Sequence, residues 1–376
     1  MIKTDVHQHL WTAPLIEALA DRRELPFVRH ERGLTVLFLS GERPYVIDLG
    51  AEAPDRRAEL TALDGLDRAL LCLSSPLGIE GLAREQSLAL IDAYLEGALA
   101  LDGPFGVWGA IALDRPDPAD VERVLDRGCV GVSLPAGALC DLSSLAHLRP
   151  LLDRLQHGGA PLFIHPGPGL GSSGLLGGRS RLGGGSALSG GSRLGGGSRL
   201  GSGSGLGGSR LDSGSRLGSG PGLDGGSRPG GGSGRGGDAS LGDPLWWPAL
   251  TRYVADMNAA WLAFHSAGRR AHPELRVVFS MLAGLAPLHH ERLASRGGPC
   301  PVLVNDPLVF YDTSSYGPAA VAMLAEVVGP EQILYGSDRP VVDPRELGMP
   351  DALDWDSIAA ATGRALGADV NVAASS

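Results

Sequence analysis

Eight short apolar runs alternate with longer amphipathic stretches along almost the whole chain, and this alternation narrows the fold more than any other feature. The runs lie at 2–6, 69–73, 107–113, 130–134, 161–164, 276–279, 308–311 and 332–335. Amphipathic stretches at 58–66, 84–100, 119–127, 145–156, 245–267, 286–295 and 318–328 separate most of them. Strands that alternate with helices form a parallel sheet joined by right-handed crossovers. Eight such units fit an α/β fold of the (β/α)8 TIM barrel type. An open doubly wound sheet is the alternative, but no Gly-x-Gly-x-x-Gly follows the first run. A further pair of runs, 34–39 and 45–49, is joined by Ser40-Gly41-Glu42-Arg43-Pro44 and reads as a small β-hairpin inserted after the first helix.

One tract breaks the pattern. The chain has 57 Gly in 376 residues, and most of the excess falls between 167 and 237, in units such as Ser-Arg-Leu-Gly-Gly-Gly-Ser. A segment with no apolar periodicity cannot bury enough surface to offset its ordering entropy. The expected organisation is therefore a single barrel domain from 1–166 and 238–366, a disordered low-complexity insertion at 167–237 after strand 5, and a flexible tail at 367–376. Without the tract about 305 residues remain, an ordinary size for one barrel. The tract is expected to be a passive expansion, not a lid.

Composition excludes several function classes. The net charge is −10 and no basic stripe is present, so no nucleic-acid partner is expected. No run of about 18 apolar residues predicts a membrane span. No n-region and h-region precede the first strand, and Cys72, Cys129, Cys140 and Cys300 have no metal-type spacing. They read as reduced cysteines of a cytoplasmic protein.

In a barrel of this kind catalytic groups sit at the C-terminal ends of the strands. The first strand runs into Asp5-Val6-His7-Gln8-His9, where alternation puts Lys3, Asp5, His7 and His9 on one face. The fifth ends in His165-Pro166-Gly167, the seventh in Asp312-Thr313-Ser314, and the eighth in Gly336-Ser337-Asp338-Arg339-Pro340. Three histidines and an aspartate, far apart in sequence, thus meet at one rim. His7, His9, His165 and Asp338 plus a water make a plausible zinc site with one position open; Mn²⁺ or Fe²⁺ would accept the same ligands.

These motifs resemble the amidohydrolase superfamily, and within it the amidohydrolase-related branch that includes aminocarboxymuconate-semialdehyde decarboxylase. The resemblance spans nearly the whole chain outside the Gly-rich tract. It implies a metal-dependent barrel that hydrolyses amides, lactones or related bonds, or decarboxylates aromatic and dienoic acids. It also implies His7, His9, His165 and Asp338 as ligands. One departure matters: the family carries Gly-His-x-Gly-Gly after strand six, whereas this chain reads Ser280-Met281-Leu282-Ala283-Gly284. A thioether moves no protons, so His265, His272, His289 and His290 are weighed as replacements. A lysine-bridged binuclear centre is excluded by inventory, because Lys3 is the only lysine and lies about 13 Å before His7 along the strand. One metal, Zn²⁺ first, is expected.

Three functions follow. The first is a hydrolase in which Asp338 takes a proton from a metal-activated water. The second is a non-oxidative decarboxylase, and the third a degenerate barrel that only binds. The expected partner is a small-molecule substrate. Trp11 is expected to line its pocket, and Arg339, or Arg43 of the hairpin, to grip a substrate carboxylate. Asp5 is expected in a supporting role behind the ligands. Trp246-Trp247-Pro248 is expected to pack on the barrel or on a second subunit of a homodimer.

Overall fold

The computed structural model describes residues 1–169, 247–298, 304–342 and 354–367. Residues 170–246 of the Gly-rich segment and of the stretch after it, Cys300, and the tail beyond 367 lie outside the described residues.

Each apolar run becomes a parallel strand within a few residues of its expected bounds. They are β1 (Thr4–Gln8), β5 (Arg68–Leu71), β6 (Phe105–Val107) continued by β7 (Gly109–Ala110), β8 (Val132–Pro135), β9 (Leu162–His165), β10 (Val277–Phe279), β11 (Val309–Asp312) and β12 (Ile333–Leu334). β1, β5 and β6 form one parallel sheet, and β7 to β12 another in sequence order. Trp108 is the joint between them: its N–H bonds to Leu71 on one side, while Gly109 N–H bonds to Gly131 on the other. At the opposite edge, Val6 N–H donates to Tyr335, Asp338 N–H to His7, and His9 N–H to Arg339. Gln8 and Arg339 pair there as a parallel bridge.

The strands are buried on both faces, as parallel strands flanked by helices must be. One set of side chains packs on itself: Val6, Leu70, Cys72, Trp108, Val130, Phe163, Val278, Phe310 and Leu334, at least one from each strand position, together with Ala361, Ala365 and Leu366 of the last described helix. Trp108 stacks on Phe163 with centroids 5.0 Å apart and donates its Nε1–H to the Val6 carbonyl. The other set meets the helices. In α3 (Arg84–Leu99) the buried positions Ser87, Leu90, Ile91, Tyr94, Leu95 and Ala98 recur at three- and four-residue spacing, which makes one buried stripe.

After α1 (Ala13–Ala20) the chain forms β2 (Phe27–Glu31), β3 (Leu34–Phe38) and β4 (Tyr45–Ile47), an antiparallel sheet in order β2-β3-β4. The pairing of Leu37 with Tyr45 is the turn read from sequence. The third strand, β2, is not visible as an apolar run, because Phe27-Val28-Arg29-His30-Glu31 is mostly polar and half exposed. Then α2 (Pro54–Leu63) leads into β5. No described helix is long and apolar enough to cross a membrane.

Between β5 and α3 the chain makes two short 3-10 turns, and Glu80 in the second is 1% exposed. Ser75 donates its hydroxyl to Glu80 Oε1 at 2.6 Å, while Oε2 has no partner among the described residues. Burial pushes the Glu80 carboxyl up from 4.5 to about 7, and the Ser75 hydrogen bond only partly opposes it. A carboxyl with a higher pKa folded than unfolded binds its proton more tightly in the native state. Stability therefore falls as pH rises from the unfolded value through the folded one. Glu80→Gln is expected to flatten that slope, leaving the variant more stable than the parent by about 3 kcal/mol at pH 8 and nearly equal to it near pH 4.5. Denaturant titrations at the two pH values check this; an unchanged slope contradicts it.

Candidate metal centre

The end of β1 departs from simple alternation. The β1–β5 register shifts between Asp5 and Gln8. Asp5 Oδ1 accepts the N–H of His7 at 3.0 Å and that of Ser337 at 3.1 Å, and Oδ2 accepts Gln8 Nε2 at 2.8 Å. Asp5 thus holds the backbone of a ligand residue on β1 and of the residue before Asp338. It does not share a face with both histidines as strict alternation predicts, and it orients no imidazole. Gln8 in turn accepts from the buried Arg57 of α2 at 2.6 Å. The same guanidinium donates to the carbonyls of His9 (2.8 Å) and Arg339 (3.3 Å) and pairs with Glu52 at 2.7 Å. One buried cation therefore ties together the two chain segments that carry His9 and Asp338.

The four expected ligands meet. His9 Nε2 lies 3.3 Å from His7 Nε2, 3.2 Å from His165 Nε2 and 3.2 Å from Asp338 Oδ1, and His7 Nε2 lies 3.5 Å from the same oxygen. The three rings stand nearly perpendicular to one another, with centroids 4.8–5.1 Å apart. All four residues are buried.

The second ring nitrogens decide what these atoms are. His9 Nδ1 donates to the Cys72 carbonyl at 2.9 Å and His165 Nδ1 to the Pro166 carbonyl at 2.7 Å. His7 Nδ1 lies 2.9 Å from Asp312 Oδ2. A carbonyl or carboxylate oxygen only accepts, so each Nδ1 carries a proton, and in a neutral imidazole the Nε2 presents a lone pair. With the imidazoles neutral, three lone pairs and a carboxylate oxygen converge on one another. Such a set holds either protons shared with the Asp338 carboxylate or a metal cation in their place. A tetrahedron of ligands at about 2.0–2.1 Å has edges of about 3.3 Å, and the three edges at His9 and the edge from His7 to Asp338 match that length, so the donor set suits a divalent ion.

Asp312 is the support of the site. Besides His7, it accepts Met281 N–H at 3.0 Å and Ser314 N–H at 2.9 Å through Oδ1, and the Ser314 hydroxyl at 2.5 Å. Carboxylate behind imidazole behind ion is the arrangement that fixes tautomer and ring orientation in metal sites. Burial lowers the His7 imidazole, but the charges of Asp312 and Cys72 and the hydrogen bonds to them together outweigh it and hold the ring well above its ordinary value. Burial, then the charges of His7 and His9, pushes His165 well below. Burial works to raise Asp338, but the hydrogen bond to His9 and the charges of the three imidazoles overcome it and hold the carboxylate well below the usual range. Asp338 is thus built as an anion, and its Oδ2 accepts the Ser315 hydroxyl at 2.9 Å.

Cys72 is part of the buried inner layer, and ligand atoms of His7, His9, Cys72 and His165 lie within 4.8 Å of one another. Its sulfur is 3.5 Å from Nδ1 of His9 and 3.6 Å from the Gln8 carbonyl, and it also interacts with His7. Burial raises the thiol, which keeps it neutral and a poor ligand.

Met281 enters the site through its backbone only. Residues 281 to 285 all have positive φ, between 48° and 66°, so Met281-Leu282-Ala283-Gly284-Leu285 makes a left-handed turn. Only Gly284 takes this conformation without a Cβ penalty, which for the others is about 1–2 kcal/mol each. The Asp312 and Ser314 bonds to Met281, and the Asn258 bond to the Gly284 carbonyl at 2.8 Å, hold the turn in place. None of the four histidines weighed as replacements reaches the ligands among the described contacts. His265 packs 4.3 Å from Trp261 and is lowered by burial to about 4, and His272 lies 3.0 Å from Asp153. His290 bonds to Pro287, and His289 is exposed.

A pocket of about 650 Å³, counting its open mouth, adjoins the ligands. His9, Trp11, Leu37, Leu39, Glu42, Tyr45, Ser74, Pro76, Leu77, Tyr253, Pro340 and Val341 line it. Trp11 is in the wall, as read from sequence, with its buried Nε1 unpartnered among the described residues. Arg339 is not in the wall: its guanidinium bonds to Asp64 at 2.7 Å and is nearly buried. Arg43 does not line the pocket either. Lys3 lies 5.5 Å over the ring of Trp355 in α12 (Trp355–Leu366).

No protein-family model and no curated protein sequence matches this chain. Solved structures do. An amidohydrolase II is 15% identical, with a TM-score of 0.62 over 97% of this chain and 99% of its own. The 5-carboxyvanillate decarboxylase of Sphingomonas paucimobilis is 16% identical, with a TM-score of 0.58 over 97% and 98%. The chain has the amidohydrolase fold. Dihydroxybenzoic acid decarboxylase of Polaromonas sp. JS666, solved with bound manganese and the inhibitor 2-nitroresorcinol, shares it at 14% identity and a TM-score of 0.58 over 99% and 98%.

In this amidohydrolase fold Asp312 is the residue that the motif reading left without a role. The signal was present as a carboxylate directly after the apolar run 308–311. Asp312→Asn is expected to lower metal affinity about 10–100-fold while the protein stays folded. Competition with a chromogenic chelator measures it, and an unchanged affinity contradicts the assigned role.

Proposed function

We propose that this protein is a metal-dependent, non-oxidative decarboxylase of a small aromatic or dienoic acid, built on a closed (β/α)8 barrel. The backbone contacts between β1 and residues 335–339, and the inner layer with at least one side chain from each strand position, support closure. The observation that carries the activity is the convergence of His7, His9 and His165 Nε2 with Asp338 Oδ1 beside an apolar pocket. The decarboxylases that share the fold support the choice of reaction.

One divalent ion, Zn²⁺ or Mn²⁺, would be held by His7, His9, His165 and Asp338. When bound it would supply Lewis-acid chemistry toward a substrate carboxylate or carbonyl oxygen. The chain does the rest. Trp11, Leu37, Leu39 and Leu77 receive the flat apolar body and exclude water from it. Asp338, held by Ser315, carries the proton. As CO₂ departs, the electron pair of the broken C–C bond stays on the substrate carbon, and that carbon takes up one proton through Asp338 from solvent. Met281 takes no part in the transfer.

A second reading, hydrolysis, is favoured by two observations: the strand-six imidazole is replaced by Met281, and Asp338 is held as an anion, the form of a general base. In that case Asp338 deprotonates the attacking water. Protein loaded with Mn²⁺ or Zn²⁺ and assayed on a panel of hydroxybenzoates is expected to release CO₂ and to stop with chelator. Turnover confined to amides or lactones supports the second reading, and no chelator-sensitive turnover on either panel contradicts both.

A further inference from the structure

The pocket that contains His9 has one carboxylate in its wall, and the proposed reaction does not use it. Glu42, in the loop between β3 and β4, and Tyr253, on α8 (Arg252–Ala263), both line it. They come from segments more than 200 positions apart and meet directly: the Tyr253 hydroxyl donates to Glu42 Oε1. Arg252 approaches the same oxygen at 3.5 Å. Glu42 Oε2 takes no hydrogen bond from any described residue. Around the pair the wall is apolar, with Leu37, Leu39 and Trp11 nearby, and no Arg or Lys is among the described residues that line the pocket.

A carboxylate in an apolar wall, pinned through one oxygen and open at the other, is an acceptor awaiting a donor. Desolvation strengthens its preference for a partner, and a second anion brought beside it is repelled. A substrate that contacts the ion at His9 and fills this pocket therefore meets an acceptor, not a cationic clamp. We infer that Glu42, positioned by Tyr253, reads a hydroxyl or amino substituent on the aromatic body of the substrate and excludes a second carboxylate there. This rests on the proposed reading only for which group of the substrate faces the metal. The pair itself selects the other substituent.

The test uses full-length protein loaded with Mn²⁺ and two probe pairs of nearly equal size, by calorimetry. In one pair, 4-hydroxybenzoate is compared with 4-fluorobenzoate; in the other, phenol with fluorobenzene. The hydroxyl member is expected to bind about ten-fold or more tighter, the scale of a hydrogen bond to a charged group, and terephthalate is expected to bind more weakly than either benzoate. Glu42→Leu is expected to erase the hydroxyl preference with metal content unchanged. Tyr253→Phe is expected to reduce the preference without erasing it, because the acceptor remains but loses the donor that positions it. If Glu42→Leu does not fold, Glu42→Gln serves: it should strengthen terephthalate binding and weaken that of 4-hydroxybenzoate. Preference for phenol without metal-dependent binding of any benzoate supports the Glu42 inference and removes the carboxylate–metal reading. Equal or absent binding within both pairs, or a preference that survives Glu42→Leu, overturns the inference.

Discussion

Three buried imidazoles and a carboxylate gathered around His9 are the constraint on which this structure depends. His9 Nε2 stands 3.2–3.3 Å from Nε2 of His7, Nε2 of His165 and Oδ1 of Asp338, and His7 Nε2 is 3.5 Å from that oxygen. Without protons or a metal cation between them these acceptors repel, so the surrounding chain must hold them together. Asp312 clamps His7 from behind, Asp5 bonds the backbone of His7 and Ser337, and Arg57 bridges the carbonyls of His9 and Arg339. The inner layer from Val6 to Leu334 forms a dry floor beneath the site. Preorganisation of this kind shifts the cost of assembling a binding site from the moment of metal capture to the folding of the chain.

The ligands were legible in the sequence for a simple physical reason. A parallel strand buried on both faces reads as an apolar run, so a histidine or aspartate at its end stands out. His165 after Leu162-Phe163-Ile164 and Asp338 after Ile333-Leu334 follow this pattern. Strict alternation failed at Asp5, because a register shift in β1 turns it toward Gln8 and Ser337. No local pattern marks a buried arginine, so Arg57, one of two adjacent arginines in the polar helix α2, could not be told from a solvated charge. Arg339 was read as a substrate clamp because it follows a ligand, but its partner Asp64 lies far away in sequence and only folding brings them together. The third strand of the small sheet escaped notice for a related reason: half exposed, it carries polar residues.

Met281 changes the chemistry without disturbing the frame. Its side chain offers no proton, yet its N–H holds Asp312, and the left-handed turn that follows keeps Ser280 to Leu285 close to the site. In the proposed reaction Asp338 is then the group left to handle the proton. The pocket then decides what the site can accept. Its largely apolar wall suits a flat hydrocarbon body, and Glu42 with Tyr253 gives that wall its one carboxylate. The amidohydrolase fold provides the frame, while the pairing of Glu42 with Tyr253 depends on this chain's own hairpin and α8.

The central claim is that these four groups form one mononuclear metal site. A crystal structure of protein loaded with Mn²⁺ or Zn²⁺, with anomalous data at the metal edge, tests it most directly. The account predicts a single anomalous peak about 2.0–2.2 Å from Nε2 of His7, His9 and His165 and from Oδ1 of Asp338, with Cys72 outside the coordination sphere. Two peaks in the site, a bond to the Cys72 sulfur in place of Asp338, or no peak at saturating metal would contradict it.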